Sequence, residues 1–183
     1  MELRPHENFN LEDVEGEIWK DVVHFENIYQ VSNFGRVKTK KREMYYDRNV
    51  GRGVELKTVY PRIRKPKLNK HTGYLMVGCN GKGKSRNVTI HSMVSKAFIG
   101  EVKKGYAVNH KDGNKLNNKL ENLEIITHQQ NSIHAFKNGL RKDNIKVIYE
   151  GVEYYSKAEM RRVLGVTKRE QNKLIENGYV ELI

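Results

Sequence analysis

The chain has one cysteine, Cys79, in 183 residues. An intramolecular disulfide and any cysteine-built zinc site are therefore excluded, and a reducing, cytoplasmic location is the default expectation. No apolar run approaches the ~20 residues needed to cross a bilayer, so no membrane partner is expected. The opening MELRPHENFN is polar and lacks the apolar centre of a signal peptide. Internal repeats and low-complexity tracts are absent. Acidic residues are also in deficit, 22 against 34 Lys and Arg, which gives a net charge of +12. Such an excess favours a polyanionic partner, because each Lys or Arg that meets a phosphate releases condensed counterions. With hydrophobic residues at 37% and charged residues at 31%, the chain reads as one or two surface-rich domains with small cores.

The positive charge is concentrated. Between Arg36 and Lys70 thirteen Lys and Arg face three acids, Glu43, Asp47 and Glu55, so this stretch carries +10 and the other 148 residues +2. Tyr45, Tyr46 and Tyr60 interleave with the charges, and Pro61 and Pro66 stiffen the end. The mixture suits an extended basic arm lying along a phosphate backbone, with Arg36, Lys38, Lys40, Lys41 and Arg42 as its first DNA contacts.

Several elements can be placed by pattern. Tyr29–Ser32 and Arg36–Thr39 alternate around the turn Asn33-Phe34-Gly35, which is a hairpin signal. A strand over Gly73–Val77 and another over Asn87–His91 flank the turn Asn80–Gly83. A short helix is predicted over Ser92–Phe98, ended by Gly100. From Gly105 to Gly139 the order is strand (Tyr106–Val108, ending at Asn109-His110), polar loop with Asp112-Gly113 at its turn, strand (Leu123–Ile126), and a helix started by the Thr127/Gln130 capping box and ended by Gly139. After a polar linker at 140–144, a hairpin over Lys146–Tyr155 turns at Glu150-Gly151. Capping boxes Ser156/Glu159 and Thr167/Glu170 then start two short helices around Gly165-Val166, a helix-turn-helix candidate. Lys168, Arg169, Asn172 and Lys173 would form the exposed face of the second helix, and Val163, Leu164, Val166, Leu174 and Ile175 would pack.

Val108–Asn131, VNHKDGNKLNNKLENLEIITHQQN, carries the chemistry. Phosphodiester hydrolysis needs a base for water and a cation for the pentacovalent phosphate and the leaving oxygen, both held on a rigid frame. His110 is a base suited to neutral pH, and the amide oxygens of Asn109 and Asn131 are donors that magnesium accepts. A lone His or an Asn-rich loop is ordinarily structural; the combination at this spacing is what points to a site.

Val108–Thr127 resembles the core of the HNH nucleases of phage and bacterial mobile introns: an Asn-His pair, an Asp-Gly-Asn turn, an Asn-Asn pair, Glu-Asn-Leu-Glu, and a Thr-capped helix. Ile90–Gly100 resembles the family's lead-in helix, Glu17–Thr39 its amino-terminal module, and the tail its carboxy-terminal helix-turn-helix. The first sixteen residues and Lys40–Lys70 show no clear counterpart. The resemblance implies an α+β chain, elongated and modular. Its parts would be a leader (1–16), an antiparallel β-rich DNA-binding module (17–90) with the basic arm 36–70, a ββα-metal core (91–139) and a helix-turn-helix (146–183). It implies His110 as general base, Asn122 as the residue tying the long loop to its neighbour, and Asn109 and Asn131 as ligands of one Mg2+, with Mn2+ as substitute and no zinc. His128 and His134 would reach the scissile phosphate or a second metal position, and His91 would support the site.

The leading expectation is thus a site-specific homing endonuclease acting as a monomer on double-stranded DNA. One base and one metal imply nicking of one strand. A DNA-binding regulator on the same scaffold without catalysis is the alternative; His110, Asn122 and Asn131 argue against it. An RNA-binding role has only charge in its favour.

Overall fold

The computed structural model describes residues 4–47, 54–81, 84–140 and 146–182. The chain forms two compact units, residues 1–126 and 127–183.

The first unit starts with a sheet of short strands. β1 (Trp19–Asp21), β2 (Tyr29–Ser32) and β3 (Val37–Thr39) pair antiparallel in sequence order, with Trp19 opposite Ser32 and Val31 opposite Val37. The expected hairpin turn is at Asn33–Gly35, where Gly35 takes φ +80°, a conformation open to glycine at no steric cost. Beyond it, the basic segment is folded as a ribbon and not as an extended arm. β4 (Arg42–Asp47) pairs antiparallel with β5 (Val54–Val59) from Arg42↔Val59 to Asp47↔Val54, while β6 (Arg62–Ile63) returns to β3. In β4, Arg42-Glu43-Met44-Tyr45-Tyr46-Asp47, polar and apolar residues do not alternate, so no period-2 pattern announces the strand.

β7 (Lys67–Leu68), β8 (Leu75–Gly81) and β9 (Lys84–Thr89) form a second antiparallel sheet. The turn expected at Asn80–Gly83 joins β8 to β9, and its residues 82 and 83 lie outside the described ones. α1 (Ile90–Val94) follows directly and widens over Ser95–Ile99 into a turn closed by the Gly100 N–H on the Ser95 oxygen at 2.8 Å. The helix thus starts two residues earlier than the pattern suggests and takes His91 with it. Val31, Val37, Val77, Cys79, Ile90, Met93, Val94 and Leu123 are buried together as the unit's core. β10 (Tyr106–His110) and β11 (Leu123–Thr127) form a two-stranded sheet beside this core.

Arg36 corrects the charge-based reading. It is 2% exposed, and its guanidinium donates to Glu17 at 2.8 Å, to the Glu12 carbonyl at 3.2 Å and to the Asn10 carbonyl. It clamps the leader onto the sheet and has no free face for a phosphate. Lys38 lies 3.8 Å over the Trp19 ring and 3.7 Å from Asp13, and Lys40 binds Asp21 at 3.0 Å and the Glu26 carbonyl at 2.9 Å. Of the five cations expected to open the basic arm's contact with DNA, Lys41 is exposed and Arg42 half-buried.

The second unit begins with α2 (His128–Lys137), capped by Thr127, whose hydroxyl accepts from the Gln130 N–H at 3.1 Å. β12 (Val147–Tyr149) and β13 (Val152–Tyr154) make the predicted hairpin, with positive φ at both Glu150 and Gly151 as a two-residue turn requires. α3 (Lys157–Leu164) and α4 (Lys168–Glu176) follow, joined through Gly165 at φ +68°. β14 (Val180–Leu182) closes the sheet on β12, an element that no sequence pattern announces. Val147, Tyr154, Met160 and Val180 are the core, with Leu164, Leu174 and Ile175 packed on it; Val163, expected to pack, is 61% exposed. At α3 the return bond of the cap goes from the Tyr155 N–H to Glu159 at 2.7 Å, one residue before the expected Ser156. Lys168, Arg169, Asn172 and Lys173 are all exposed.

Candidate active site

The loop 111–122 is held from inside by polar side chains. Asn122, 8% exposed, accepts from the Asp112 N–H at 3.1 Å and donates to the Asp112 carboxylate and to the Asn117 carbonyl, each at 2.8 Å; its own carbonyl accepts from the Lys111 N–H at 2.9 Å. Asp112 also accepts from Asn117 at 2.7 Å and from the Asn114 N–H at 2.8 Å. Partial burial pushes its carboxyl up, but the bonds from Asn117, Asn114 and Asn122 outweigh that and hold it below the usual carboxylate range. An ionised, fully bonded Asp112 makes the loop a rigid frame.

His110 ends β10 at 4% exposure. Its Nε2 lies 3.3 Å from Asn118 Oδ1. The Asn118 amide nitrogen donates to the Leu116 carbonyl at 3.1 Å, so the atom turned to His110 is the oxygen. An oxygen partner requires the proton on Nε2, and the Nδ1 lone pair is left free to take a proton. Tyr74 stacks on the imidazole at 5.9 Å between centroids, and His91 meets it edge-on at 5.3 Å. Burial holds His110 below the ordinary histidine range; the Asn118 bond and Asp112 pull the other way and Lys115 adds to the lowering. Burial thus favours the neutral form of the His110 imidazole. His91, bonded to Thr89 at 3.3 Å, is pushed down to about 4 by burial and by its neighbour His110.

Asn109, 6% exposed, donates to Glu124 on β11 at 2.8 Å. Bonding through the amide nitrogen leaves the Asn109 oxygen as acceptor, with a carboxylate alongside that the sequence pattern does not single out. Amide and carboxylate oxygens suit a hard divalent cation, and thiolates are lacking. Among the described residues, no three His, Cys, Asp or Glu gather as a ready-made cation site. Asn131, His128 and His134 sit on α2 at three-residue spacing, His128 exposed and the other two half-buried.

Sequence reasoning passes over three residues of this site. Asn118 is visible only as half of an Asn-Asn pair, Glu124 only as part of Glu-Asn-Leu-Glu, and Tyr74, thirty-six positions before His110, carries no signal.

Residues 17–80 match the NUMOD4 motif and residues 88–133 match the HNH endonuclease family. The NUMOD4 match includes the basic ribbon, for which no counterpart was expected. The protein named HNH homing endonuclease YosQ, from the SPbeta prophage of Bacillus subtilis, is 44% identical over 89 residues, 48% of this chain and 51% of that protein. DNA endonuclease I-HmuI of Bacillus phage SP01 is 32% identical over 121 residues, 66% of this chain and 59% of that protein. The chain thus spans between half and three fifths of the length of these relatives. A solved structure of I-HmuI, described as an HNH homing endonuclease that binds and cleaves DNA, superposes with a TM-score of 0.51 at 26% identity, covering 91% of this chain and 98% of that one. The chain thus carries an HNH endonuclease segment, residues 88–133, preceded by a NUMOD4 motif, residues 17–80.

Proposed function

We propose that the protein is a site-specific DNA endonuclease of the homing type, acting as a monomer on double-stranded DNA and nicking one strand. The observation that carries this reading is His110: buried, bonded at Nε2 to Asn118 and free at Nδ1. His110 takes the proton of the attacking water at Nδ1. Asn122 and Asp112 hold the loop so that the imidazole does not drift, and Tyr74 and His91 exclude bulk water from its faces. Asn109 and, from α2, Asn131 are the proposed ligands of a single Mg2+, which Mn2+ would replace. When bound, the ion supplies positive charge for the phosphate and the departing oxygen. Two amide oxygens bind Mg2+ weakly alone, so metal and DNA should bind together. His128 and His134 are assigned to the scissile phosphate or a second metal position. The exposed Lys168, Arg169, Asn172 and Lys173 of α4 are assigned to DNA away from the cut, as a helix-turn-helix would place them.

The test is incubation with a pool of supercoiled plasmids bearing random inserts, with Mg2+ or with EDTA, read as nicked, linear or uncut. Nicked circles are expected with Mg2+ alone. His110→Ala should cut about 10²–10⁴-fold more slowly while binding DNA as before. Undiminished cutting by His110→Ala would remove the base assignment.

A further inference from the structure

Residues of the HNH segment around His110 touch residues that lie outside that segment. The residue bonded to His110, Asn118, is pressed from behind by the turn Asn33–Gly35, which belongs to the NUMOD4 segment. Gly35 lies so close that a Cβ there would sit 3.0 Å from the Asn118 Cβ and 3.0 Å from the Asn118 carbonyl oxygen. The oxygen is backbone and cannot swing aside. One step along the loop, the Leu120 N–H donates to the Asn33 carbonyl at 2.7 Å, and the Lys119 ammonium lies 5.7 Å over the Phe34 ring.

The turn is itself anchored. The Asn33 side chain accepts from the Ile18 N–H at 2.7 Å and donates to the Gly16 carbonyl at 3.0 Å. A continuous line of direct contacts therefore runs from residues 16–18 through Asn33–Gly35 and Asn118 to the imidazole.

We infer that Asn118 is the positioning residue that sets the orientation and tautomer of His110, and that the Asn33–Gly35 turn of the NUMOD4 segment holds Asn118 in place. This rests on the endonuclease reading for its effect on rate, but the effect on the imidazole stands without it. NUMOD4 then acts in two ways: it contributes charge and strands, and it completes the frame of the neighbouring catalytic segment. A displacement of about 1 Å in a reacting group costs on the order of 10²-fold in rate, so the contact at Gly35 is close enough to matter.

The experiment measures three things on the full chain: single-turnover nicking, DNA affinity, and the 15N signals of the His110 ring at neutral pH. Asn118→Ala should slow nicking about 10²-fold with unchanged affinity, and its His110 should pass from the Nε2–H tautomer to a mixture. Gly35→Ala should do the same in the native background. In the Asn118→Ala background it should cost little more, because the side chain that relays the push is gone. Gly35→Asn repeats the test with a residue that tolerates positive φ, should the alanine variant fail to fold. A wild-type tautomer in Asn118→Ala, native nicking by that variant, or multiplying losses in the double variant would overturn the inference. A tautomer change in a protein that never nicks DNA would instead refute the endonuclease reading and leave the positioning intact.

Discussion

At the scale of single residues, burial decides what a charge does. Arg36 and Glu17 have side chains at 1% and 0% exposure, 2.8 Å apart. Removing one member of such a pair leaves the other charge buried and uncompensated, at a cost of roughly 3–5 kcal/mol. Arg36→Ala is therefore expected to be among the most destabilising substitutions in the chain and to free the leader, with urea denaturation as the measurement; a loss below about 1 kcal/mol would mean the pair is effectively solvated. His91 gives a pH dependence. In the folded chain its imidazole titrates at about 4, against an ordinary 6.5. Between those values the unfolded chain takes up a proton that the folded chain refuses, so stability present above pH 6.5 is lost as pH falls toward 4. The loss reaches about 3 kcal/mol at most. His91→Phe keeps the ring packing and removes the titration. Its stability should fall less between pH 7 and pH 4.5, and equal slopes for both proteins would refute the assignment. His110 stands out in the sequence as a histidine at a strand end beside a polar loop, whereas Asn122 is singled out only by the family resemblance. Arg36 misleads because composition counts charges without their depth. Tyr74 is invisible in the sequence because a ring contact across thirty-six residues leaves no local period.

At the scale of elements, readability follows alternation and caps. Alternating apolar positions and the Thr127 box place β10, β11 and α2 to within about two residues, and the α4 box forms as expected, because these signals act within one turn of chain. The ribbon β4–β5 looks like an arm in the sequence because β4 has no alternation and the stretch around it is rich in Lys and Arg, and β14 escapes notice because three residues carry no period at all. The ribbon also changes what the basic stretch should do on DNA. Lys40 already commits its ammonium to Asp21, whereas Lys41, Arg62 and Lys67 are exposed. Replacing those three with Gln should flatten the dependence of log affinity on log salt by about 0.9 for each phosphate no longer neutralised, about equally on any duplex. Lys40→Gln should leave the slope nearly unchanged. Equal flattening by Lys40→Gln would show that its pairing with Asp21 breaks when DNA binds.

At the scale of the whole molecule, the two hydrophobic cores share no residue. The first draws on Val22 through Leu123, and the second is complete within Val147–Val180. A chain cut after residue 145 therefore loses an entire small core and leaves the other whole, and the remaining protein should still melt cooperatively. The exposed cations of α4 go with the removed part, and they are the groups proposed to read DNA away from the cut. His110, Asn118, Asn122 and the Asn33–Gly35 turn all stay. Comparing full-length protein with a 1–145 truncation, on one specific and one random duplex, should therefore separate address from chemistry. Affinity for the specific site should fall toward that for the random one, while Mg2+-dependent nicking persists at higher enzyme concentration. An unfolded truncation would mean that the tail supports the first core after all. A preserved ratio of specific to random binding would place recognition in the amino-terminal strands, with β4–β5 as the first segment to mutate.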